Sequence, residues 1–355
     1  MLRWKSQAEA RSGTGNIVPV AGRIPGIPAI SGSGLQPNGN QKNGPLLNSL
    51  PSQGINIGVE SQPGRASLLP DSHGRDTKLI SANWDQQADV FLQQLKRLSY
   101  DRANSAAILL RQAANARRQG SYGESRTILS QAVAADGLYG LLARAEMQSF
   151  NGTATVPIPA INLPQIQTKP FLDADMADQC WQDATEIHLQ SATAQNAPDC
   201  LVMLAWDAEF FYIAARVQFA ADRSSRLDKR TPRRHDFDHG DHDQITISLD
   251  TDRDYTTAFS FTVDETGQTS ERCWRSKKWN PDWFVAEAAD QTAWRFEAAI
   301  PFAALGTPVR AGDLWVINIQ RTLPGAVHQT LTNQAIDADG TGAEGFGLLR
   351  FIRRR

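Results

Sequence analysis

The chain has 355 residues, with 36 Lys and Arg against 38 Asp and Glu, which gives a formal net charge of −2. Hydrophobic residues make up 41% and charged residues 21% of the chain, a balance that supports a folded core and excludes a wholly disordered protein. The near-neutral charge argues against a general nucleic-acid binder, and no run approaches the ~20 apolar residues that span a membrane.

The first part of the chain differs from the rest in composition. Residues 1–80 carry 8 basic and 4 acidic side chains, hold 12 of the 26 Gly and 8 of the 18 Pro, and contain one aromatic residue, Trp4. Such a segment buries too little apolar surface to offset an ordering cost of about 1–2 kcal/mol per residue. We therefore predict a disordered tail over residues 1–80. Its start, MLRWKSQAEARSG, lacks the apolar stretch of a secretory signal.

Residues 81–150 show helical periodicity. Apolar runs from Val90 and from Ala106 recur at spacings of three and four. A break follows at Gly120, and two further helices are predicted at about 124–135 and 138–147. The segment is therefore predicted to be a small α-helical hairpin.

One stretch of this hairpin, NARRQGSYGESRTILSQAVAAD, resembles the centre of a tetratricopeptide repeat. Gly120 and Tyr122 lie at its turn, and Ser125 stands where that family usually has Ala. A single repeat is fewer than the roughly three that a stable solenoid needs. Two interpretations stay open: a hairpin packed on the next domain, and a surface that docks a protein partner.

Residues 151–165 contain four prolines or glycines and are predicted to form a linker without a regular element. From 166 to 355 the apolar period becomes two. Clear alternating runs begin near Phe211, Ile245, Phe259, Trp294 and Trp315, with weaker ones at 184–190, 199–206 and 346–352. Trp294 and Trp315 are at strand-period positions and are predicted to lie in the core. Turn signals separate these runs, and no helix-length pattern intervenes. The chain is thus predicted to be mainly β, with an antiparallel, jelly-roll-like β-sandwich over residues 166–355.

Four segments of the predicted sandwich resemble the family-9 carbohydrate-binding modules and their DOMON-like relatives. They are KPFLDADMADQCWQDA, LVMLAWDAEFFYIAARV, GDHDQITISLDTDRDY and WRFEAAIPFAALG, the last followed by NIQRT. Asp173, Trp181 and Glu297 are among the matching positions, whereas Ala174 occupies a position that is often Gly. The resemblance implies a non-catalytic domain that binds a polysaccharide or oligosaccharide. It also suggests an extracytoplasmic location and permits a structural Ca²⁺.

The segment CWRSKKWNPDWF places three tryptophans among polar side chains. A sugar lays its apolar C–H face on an aromatic ring while polar side chains bond its hydroxyls, and tryptophan offers the largest ring. The predicted ligand-binding residues are Trp274, Arg275, Lys278, Trp279, Asn280 and Trp283. In the alternative interpretation, the tryptophans anchor a long loop onto the sandwich.

An acidic run between residues 236 and 254 holds seven Asp. Asp250, Asp252 and Asp254 form D-x-D-x-D, which offers carboxylate oxygens of the kind that Ca²⁺ prefers. The EF-hand template then fails, because Tyr255 replaces its glycine and Phe261 its final Glu. The predicted calcium ligands are Asp241, Asp243, Asp250, Asp252 and Asp254. A solvated hairpin turn is the alternative.

The sequence carries no nucleophile elbow, Walker loop, zinc-protease motif or dinucleotide fingerprint, so we predict that the protein is not an enzyme. Other functions stay open as alternatives. One is a scaffold whose sandwich has lost ligand binding; another is a haem-binding electron-transfer domain, as in some DOMON-like relatives. The candidate haem ligands are Met176, Met203, His188 and His328. A zinc site would use His235, His239 and His242. A glycosidase would use Glu297 and Asp243 as its pair of carboxyl groups.

Overall fold

The computed structural model describes the helical region and most of the sandwich. The described residues are 18–19, 76–150, 157–191, 197–220, 236–240, 242–274, 276–324, 327–332 and 343–353. The predicted disorder of residues 1–80 falls almost wholly outside these ranges, as do Asp241, Arg275 and His235. Within them, no helix is both long and apolar enough to cross a membrane.

Five helices precede the sandwich. They are α1 (Asp76–Leu98), α2 (Tyr100–Ala103), α3 (Ala106–Arg118), α4 (Tyr122–Ala132) and α5 (Gly137–Phe150). The last two match the predicted helices to within three residues at each end. Gly120 has a φ of +77° in the turn between α3 and α4, a left-handed conformation that glycine adopts without steric cost. The hydroxyl of the buried Ser125 accepts a hydrogen bond from Arg117 at 3.1 Å, so its polar group has a partner within the hairpin.

The described residues of the sandwich form two sheets. The strands are β1 (Val18–Pro19), β2 (Ala160–Pro164), β3 (Thr185–His188), β4 (Cys200–Trp206), β5 (Phe210–Gln218), β6 (Gln244–Asp250), β7 (Phe259–Asp264), β8 (Thr269–Cys273), β9 (Phe284–Ala289), β10 (Ala293–Pro301), β11 (Leu314–Leu323), β12 (Val327–Thr330) and β13 (Gly347–Ile352). The first sheet runs β1–β9–β10–β5–β4–β3 and the second β2–β13–β11–β6–β7–β8, with β12 also on β11. The prediction of a mainly β sandwich is confirmed.

The predicted linker contains a strand, so the expectation that residues 151–165 exclude regular structure is wrong. Strand β2 lies at the edge of the second sheet and pairs in parallel with β13, with Ile161 opposite Leu349. A strand at the edge of a sheet forms hydrogen bonds on one side only. It therefore tolerates Pro164 as its last residue, although proline has no backbone N–H to donate. All other strand pairings in the described chain are antiparallel.

The main core lies between the sheets, where inward-facing side chains of both meet. Trp294 and Trp315 are buried there, as predicted. A second core forms where the helices cover the outer face of the second sheet. It joins Leu109, Leu110, Leu129 and Leu142 of the helices to Leu314, Val316 and Leu348 of the sheet. The helices are therefore packed on the sandwich, which agrees with the packed-hairpin interpretation.

The outer face of the first sheet is covered by the segment that enters the sandwich. This segment contains the short helix α6 (Gln179–Gln182), and its Leu172 and Trp181 pack on Met203 and Tyr212 of the sheet. Both sheets thus have part of their outer faces buried.

Candidate functional site

Glu297 joins two of the segments that carry the family resemblance. Its Oε2 accepts hydrogen bonds from the backbone N–H groups of Asp173 (2.9 Å) and Ala174 (2.7 Å), and its Oε1 accepts one from the indole of Trp181 (2.6 Å). Ala174 has a φ of +61°, which is the left-handed conformation for which glycine is favoured. Burial raises the pKa of Glu297 to about 7, although these hydrogen bonds oppose the shift. These motif residues therefore hold the entry segment against the sheet.

Asp243 lies outside the cluster that Asp250, Asp252 and Asp254 form and is paired with an arginine, which corrects the prediction that all these residues share one site. It is buried, and its carboxylate pairs with the guanidinium of Arg321 through contacts of 2.9 Å and 2.7 Å. The indole of Trp294 donates to the same carboxylate at 3.3 Å. Asp243 and Glu297 are both buried and committed to structural hydrogen bonds, so this pair is not arranged as the acid and base of a glycosidase.

Two of the three loop tryptophans are buried. Trp279 is 5% exposed and packs on Phe259 and Phe261 at centroid distances of 5.0 and 5.4 Å, while Trp283 is 0% exposed and lies 5.0 Å from Phe261. The loop leads from β8 in the second sheet to β9 in the first, so its rings fill the gap between the sheets. Neither ring has a free face for a sugar. The prediction that Trp279 and Trp283 stack on a ligand is therefore wrong; both rings anchor the loop to the core of the sandwich.

Trp274 has the opposite environment. It is 48% exposed and adopts a left-handed φ of +53°, while Lys278 and Asn280 of the same loop are also exposed. Its backbone N–H donates to the carbonyl of Ala258 at 2.7 Å. Of the predicted sugar-binding residues that the structure describes, these three are therefore at the surface.

The aspartate turn, defined here as Asp250, Asp252 and Asp254, connects β6 to β7. One carboxylate oxygen from each residue lies within 4.8 Å of those of the other two. The buried carboxylate of Asp250 accepts backbone N–H groups of Arg253 and Tyr255, both at 2.7 Å. Burial raises the pKa of Asp250 well above its ordinary value, and the neighbouring charges of Asp252 and Asp254 raise it further.

The helices meet the aspartate turn through two arginines at the end of α3. Arg118 donates to the carboxylate of Asp252 at 2.5 Å. Arg117 donates to the backbone carbonyls of Asp252 (2.8 Å) and Arg253 (3.1 Å). Glu146 of α5, fully buried, accepts from Arg117 (3.3 Å) and from Arg253 (3.0 Å). Burial lowers the pKa of Arg117, and the nearby charge of Arg253 acts in the same direction, although Glu146 opposes both.

A cavity of about 1010 Å³, the junction groove, opens beside this contact. Its walls are the end of α3, the start of α4, the last residue of α5, the turn at 251–253, and the loop at 305–315. Tyr122 and Phe150 line it and are 72% and 39% exposed. Ala258 and Cys273 also line it; Trp274 is not a lining residue, but its backbone is bonded to the first and adjacent to the second.

The remaining histidine candidates are engaged elsewhere. Both ring nitrogens of the buried His239 are hydrogen-bonded, to Asp264 at 2.8 Å and to Ser270 at 2.9 Å. Burial tends to raise the pKa of Asp264, but the hydrogen bonds from His239 and Thr266 outweigh it and lower the pKa. His242 lies 3.4 Å from Glu265. The only cluster of metal-ligating side chains found in the described chain is the aspartate turn.

Comparison with known proteins gives matches in structure alone. No protein-family model matches the chain, and no curated protein matches its sequence. A family-9 carbohydrate-binding module from Caldicellulosiruptor kristjanssonii, solved with cellotriose, is 14% identical with a TM-score of 0.42; the match covers 56% of this chain and 95% of that one. A family-9 module from the same organism, solved with glucose, is 14% identical with a TM-score of 0.41, and the match covers 55% of this chain and 97% of that one. A proposed carbohydrate-binding protein from Bacteroides uniformis is 11% identical with a TM-score of 0.42, and the match covers 55% of this chain and 99% of that one.

Sequence reasoning did not single out Tyr122 and Phe150, which line the junction groove. Tyr122 was assigned to a turn and Phe150 lies beyond the predicted end of the last helix at about 147. One signal was available for Tyr122: an aromatic ring between Ser121 and Gly123 at a helix start has little apolar sequence around it to pack against. Phe150 carried no such signal, because its exposure depends on where α5 ends against the sandwich.

Proposed function

We propose that the protein binds carbohydrate without catalysing a reaction, and that the ligand lies in the junction groove. The observation that carries this proposal is the pair of exposed aromatic rings in the groove, Tyr122 and Phe150, with the exposed Trp274 next in sequence to the lining residue Cys273. Exposed rings beside the arginine, aspartate and threonine side chains of the groove give a sugar both an apolar surface and hydrogen-bond partners. The sequence resemblance to carbohydrate-binding modules supports the same ligand class.

The carboxylates of the groove support a binding role. Asp252 pairs with Arg118, and the carboxylate of Asp313 accepts the backbone N–H of Arg310 at 2.7 Å. Hydrolysis of a glycosidic bond requires two carboxyl groups that flank the bond, one of them able to donate a proton. In the described part of the groove, both carboxylates instead hold the protein's own donors.

The proposal predicts a selective effect of removing the exposed rings. Trp274→Ala and Tyr122→Ala should each lower the affinity for an oligosaccharide ligand about tenfold, equivalent to about 1.4 kcal/mol, because each removes stacking surface. Binding is first sought on a panel of neutral and acidic oligosaccharides and insoluble polysaccharides. Affinity is then measured by titration calorimetry with the best ligand.

Tyr100→Ala is the matched control, because Tyr100 is equally exposed but lies on α2, outside the groove walls. It should leave the affinity unchanged. If no saccharide in the panel binds, or if Trp274→Ala and Tyr122→Ala bind as well as the wild type, the proposal is wrong.

We also propose that the aspartate turn binds Ca²⁺ as a structural ion. Carboxylate oxygens within 4.8 Å of one another suit a cation that takes oxygen ligands at about 2.3–2.6 Å. Burial raises the pKa of Asp250 and of Asp254, and repulsion from the neighbouring carboxylates raises it further. A cation among them would relieve that repulsion.

The scaffold alternative is favoured by one feature, an apolar stripe on α1. Val90, Phe91 and Leu98 are exposed there, so this helix has apolar surface that a protein partner would cover. The saccharide panel also separates the two functions, since a scaffold would bind none of its members. The haem alternative stays a prediction: His188 lies on β3 and His328 on β12, in different sheets, where they hydrogen-bond Asp199 and Gln320.

A further inference from the structure

The junction groove concentrates positive charge on an acidic molecule. Residues 151–355 carry 20 basic and 28 acidic side chains, yet the groove is lined mainly by basic ones. Its charged lining residues are Arg117, Arg118, Arg126, Arg253 and Arg310, with Asp252 and Asp313 as the acidic ones. A cavity with an excess of guanidinium groups and a low-dielectric wall raises the local concentration of anions.

Three of the five arginines are used inside the protein. Arg117 and Arg253 bind Glu146, and Arg118 binds Asp252. Arg117 and Arg253 share the single carboxylate of Glu146, which leaves one positive charge at the base of the groove, whereas Asp252 neutralises Arg118. This part of the charge does not depend on a ligand.

The other two arginines are available. Arg126 and Arg310 are exposed, and neither side chain has an ion-pair partner among the residues that the structure describes. The guanidinium of Arg126 lies 5.3 Å from the centroid of the Phe150 ring, a cation–π contact that orients it. A guanidinium oriented in this way presents N–H donors that match the two oxygens of a carboxylate.

The start of α4 adds to the same field. Tyr122 and Gly123, its first two residues, line the groove, and the side chain of the preceding Ser121 makes no capping hydrogen bond. The unsatisfied N–H groups of a helix N-terminus carry a partial positive charge that favours anions. The partial charge of the helix end adds to the charge of the arginines and does not form a binding site without them.

We propose that the junction groove selects saccharides that carry carboxylate groups, such as uronic-acid glycans, over neutral saccharides. Arg126 on α4 and Arg310 on the loop at 305–315 pair with the carboxylates, while Tyr122, Phe150 and Trp274 contact the sugar rings. This inference rests on the proposed function, since it names the class of carbohydrate that the groove takes.

The test compares one sugar with and without its charge. Oligogalacturonate and its fully methyl-esterified form have the same rings and differ in the carboxylate alone. The wild type should bind the acid at least about tenfold more tightly than the ester, and raising NaCl from about 50 to 500 mM should weaken binding of the acid. The double variant Arg126→Gln/Arg310→Gln should bind the acid no more tightly than it binds the ester.

A control with the same change in charge is Lys96→Gln/Arg97→Gln, on the exposed end of α1 outside the groove walls. It should keep the preference for the acid. Equal binding of acid and ester would overturn the inference and leave the carbohydrate-binding function standing. A preference for the acid that survives Arg126→Gln/Arg310→Gln would also overturn it. Binding of neither form, nor of any other saccharide in the panel, would overturn both.

Discussion

Buried polar side chains hold the segments of this protein together at fixed points. Glu297 is 0% exposed and receives three N–H donors from the segment that enters the sandwich. Asp243 and Arg321 form a second such point between the strands of the second sheet and the first. A buried charge costs free energy unless it is paired or hydrogen-bonded, so each of these groups depends on its partners.

At the residue scale, we predict that Glu297→Gln destabilises the protein by about 1–3 kcal/mol. The amide of Gln presents a donor where Glu297 offers an acceptor, so either the indole of Trp181 or the backbone N–H groups of Asp173 and Ala174 lose their partner. The free energy of unfolding is measured by urea titration. Glu186→Gln, exposed on β3 of the same sheet, is the control and should change stability little.

The same substitution should alter the pH dependence of stability. Burial raises the pKa of Glu297 from an ordinary value of 4.5 to about 7. Between these values the folded state retains a proton that the unfolded state has released, so the contribution is full below about pH 4.5 and is lost as the pH rises through about 7. The stability gap between wild type and Glu297→Gln should therefore narrow over this range. A gap that stays constant or widens would contradict the raised pKa.

The residue scale also shows where sequence reasoning ends. The alternation of apolar residues predicted the buried positions of Trp294 and Trp315, because a strand fixes which side of the sheet each residue faces. The positions of Trp274, Trp279 and Trp283 follow no such rule, since a loop has no fixed period. Only the crossing of this loop between the sheets decides that two rings are buried and one is exposed.

At the scale of elements, the aspartate turn combines a strained backbone with clustered charge. Arg253 and Tyr255 both have positive φ values, of 58° and 56°. Such a conformation is unfavourable for a large side chain and persists where surrounding contacts compensate. Tyr255 is buried against Phe346 in the core shared by helices and sheet, which provides that compensation. Tyr255 thus adopts a left-handed conformation at the position where the EF-hand template has its glycine.

Ca²⁺ is predicted to stabilise this turn. Adding about 1 mM CaCl₂ to protein treated with a chelator should raise Tm by a few degrees, because an ion bound to the folded state alone shifts the unfolding equilibrium. Asp254→Asn should reduce this shift by removing a ligand charge. Asp290→Asn is the control: Asp290 forms a similar turn with Thr292 and Ala293 but lies outside the cluster of three carboxylates. A wild-type Tm that does not respond to Ca²⁺ would refute the proposal.

Elements with a clear apolar period were predictable, and elements without one were not. Strands β5, β6, β7, β10 and β11 follow the five clear alternating runs. Strand β8 turns Thr269 and Glu271 inward alongside Cys273, so polarity does not reveal its buried face. Strand β9 is rich in Ala, and β2 is bounded by prolines. Their place in the sheets depends on neighbours that are distant in sequence.

At the scale of the whole molecule, helices and sandwich share one core and one ionic network. The apolar face of α3, α4 and α5 covers the second sheet, and Glu146 binds Arg253 of the sandwich together with Arg117 of the helices. The junction groove exists because of this packing, since its walls come from both parts. The sequence predicted both parts; the groove between them could not be predicted, because no local pattern specifies how two elements pack.

This shared core predicts that helices and sandwich unfold in one cooperative transition. Helix content, followed by circular dichroism at 222 nm, and the fluorescence of the buried tryptophans should change at the same denaturant concentration. Glu146→Ala leaves two buried guanidinium groups without their carboxylate and should cost about 3–5 kcal/mol, lowering both midpoints together. The exposed Glu344→Ala should change neither. If Glu146→Ala melts the helices while tryptophan fluorescence keeps its wild-type midpoint, the two parts fold independently and the groove is not a fixed feature of the protein.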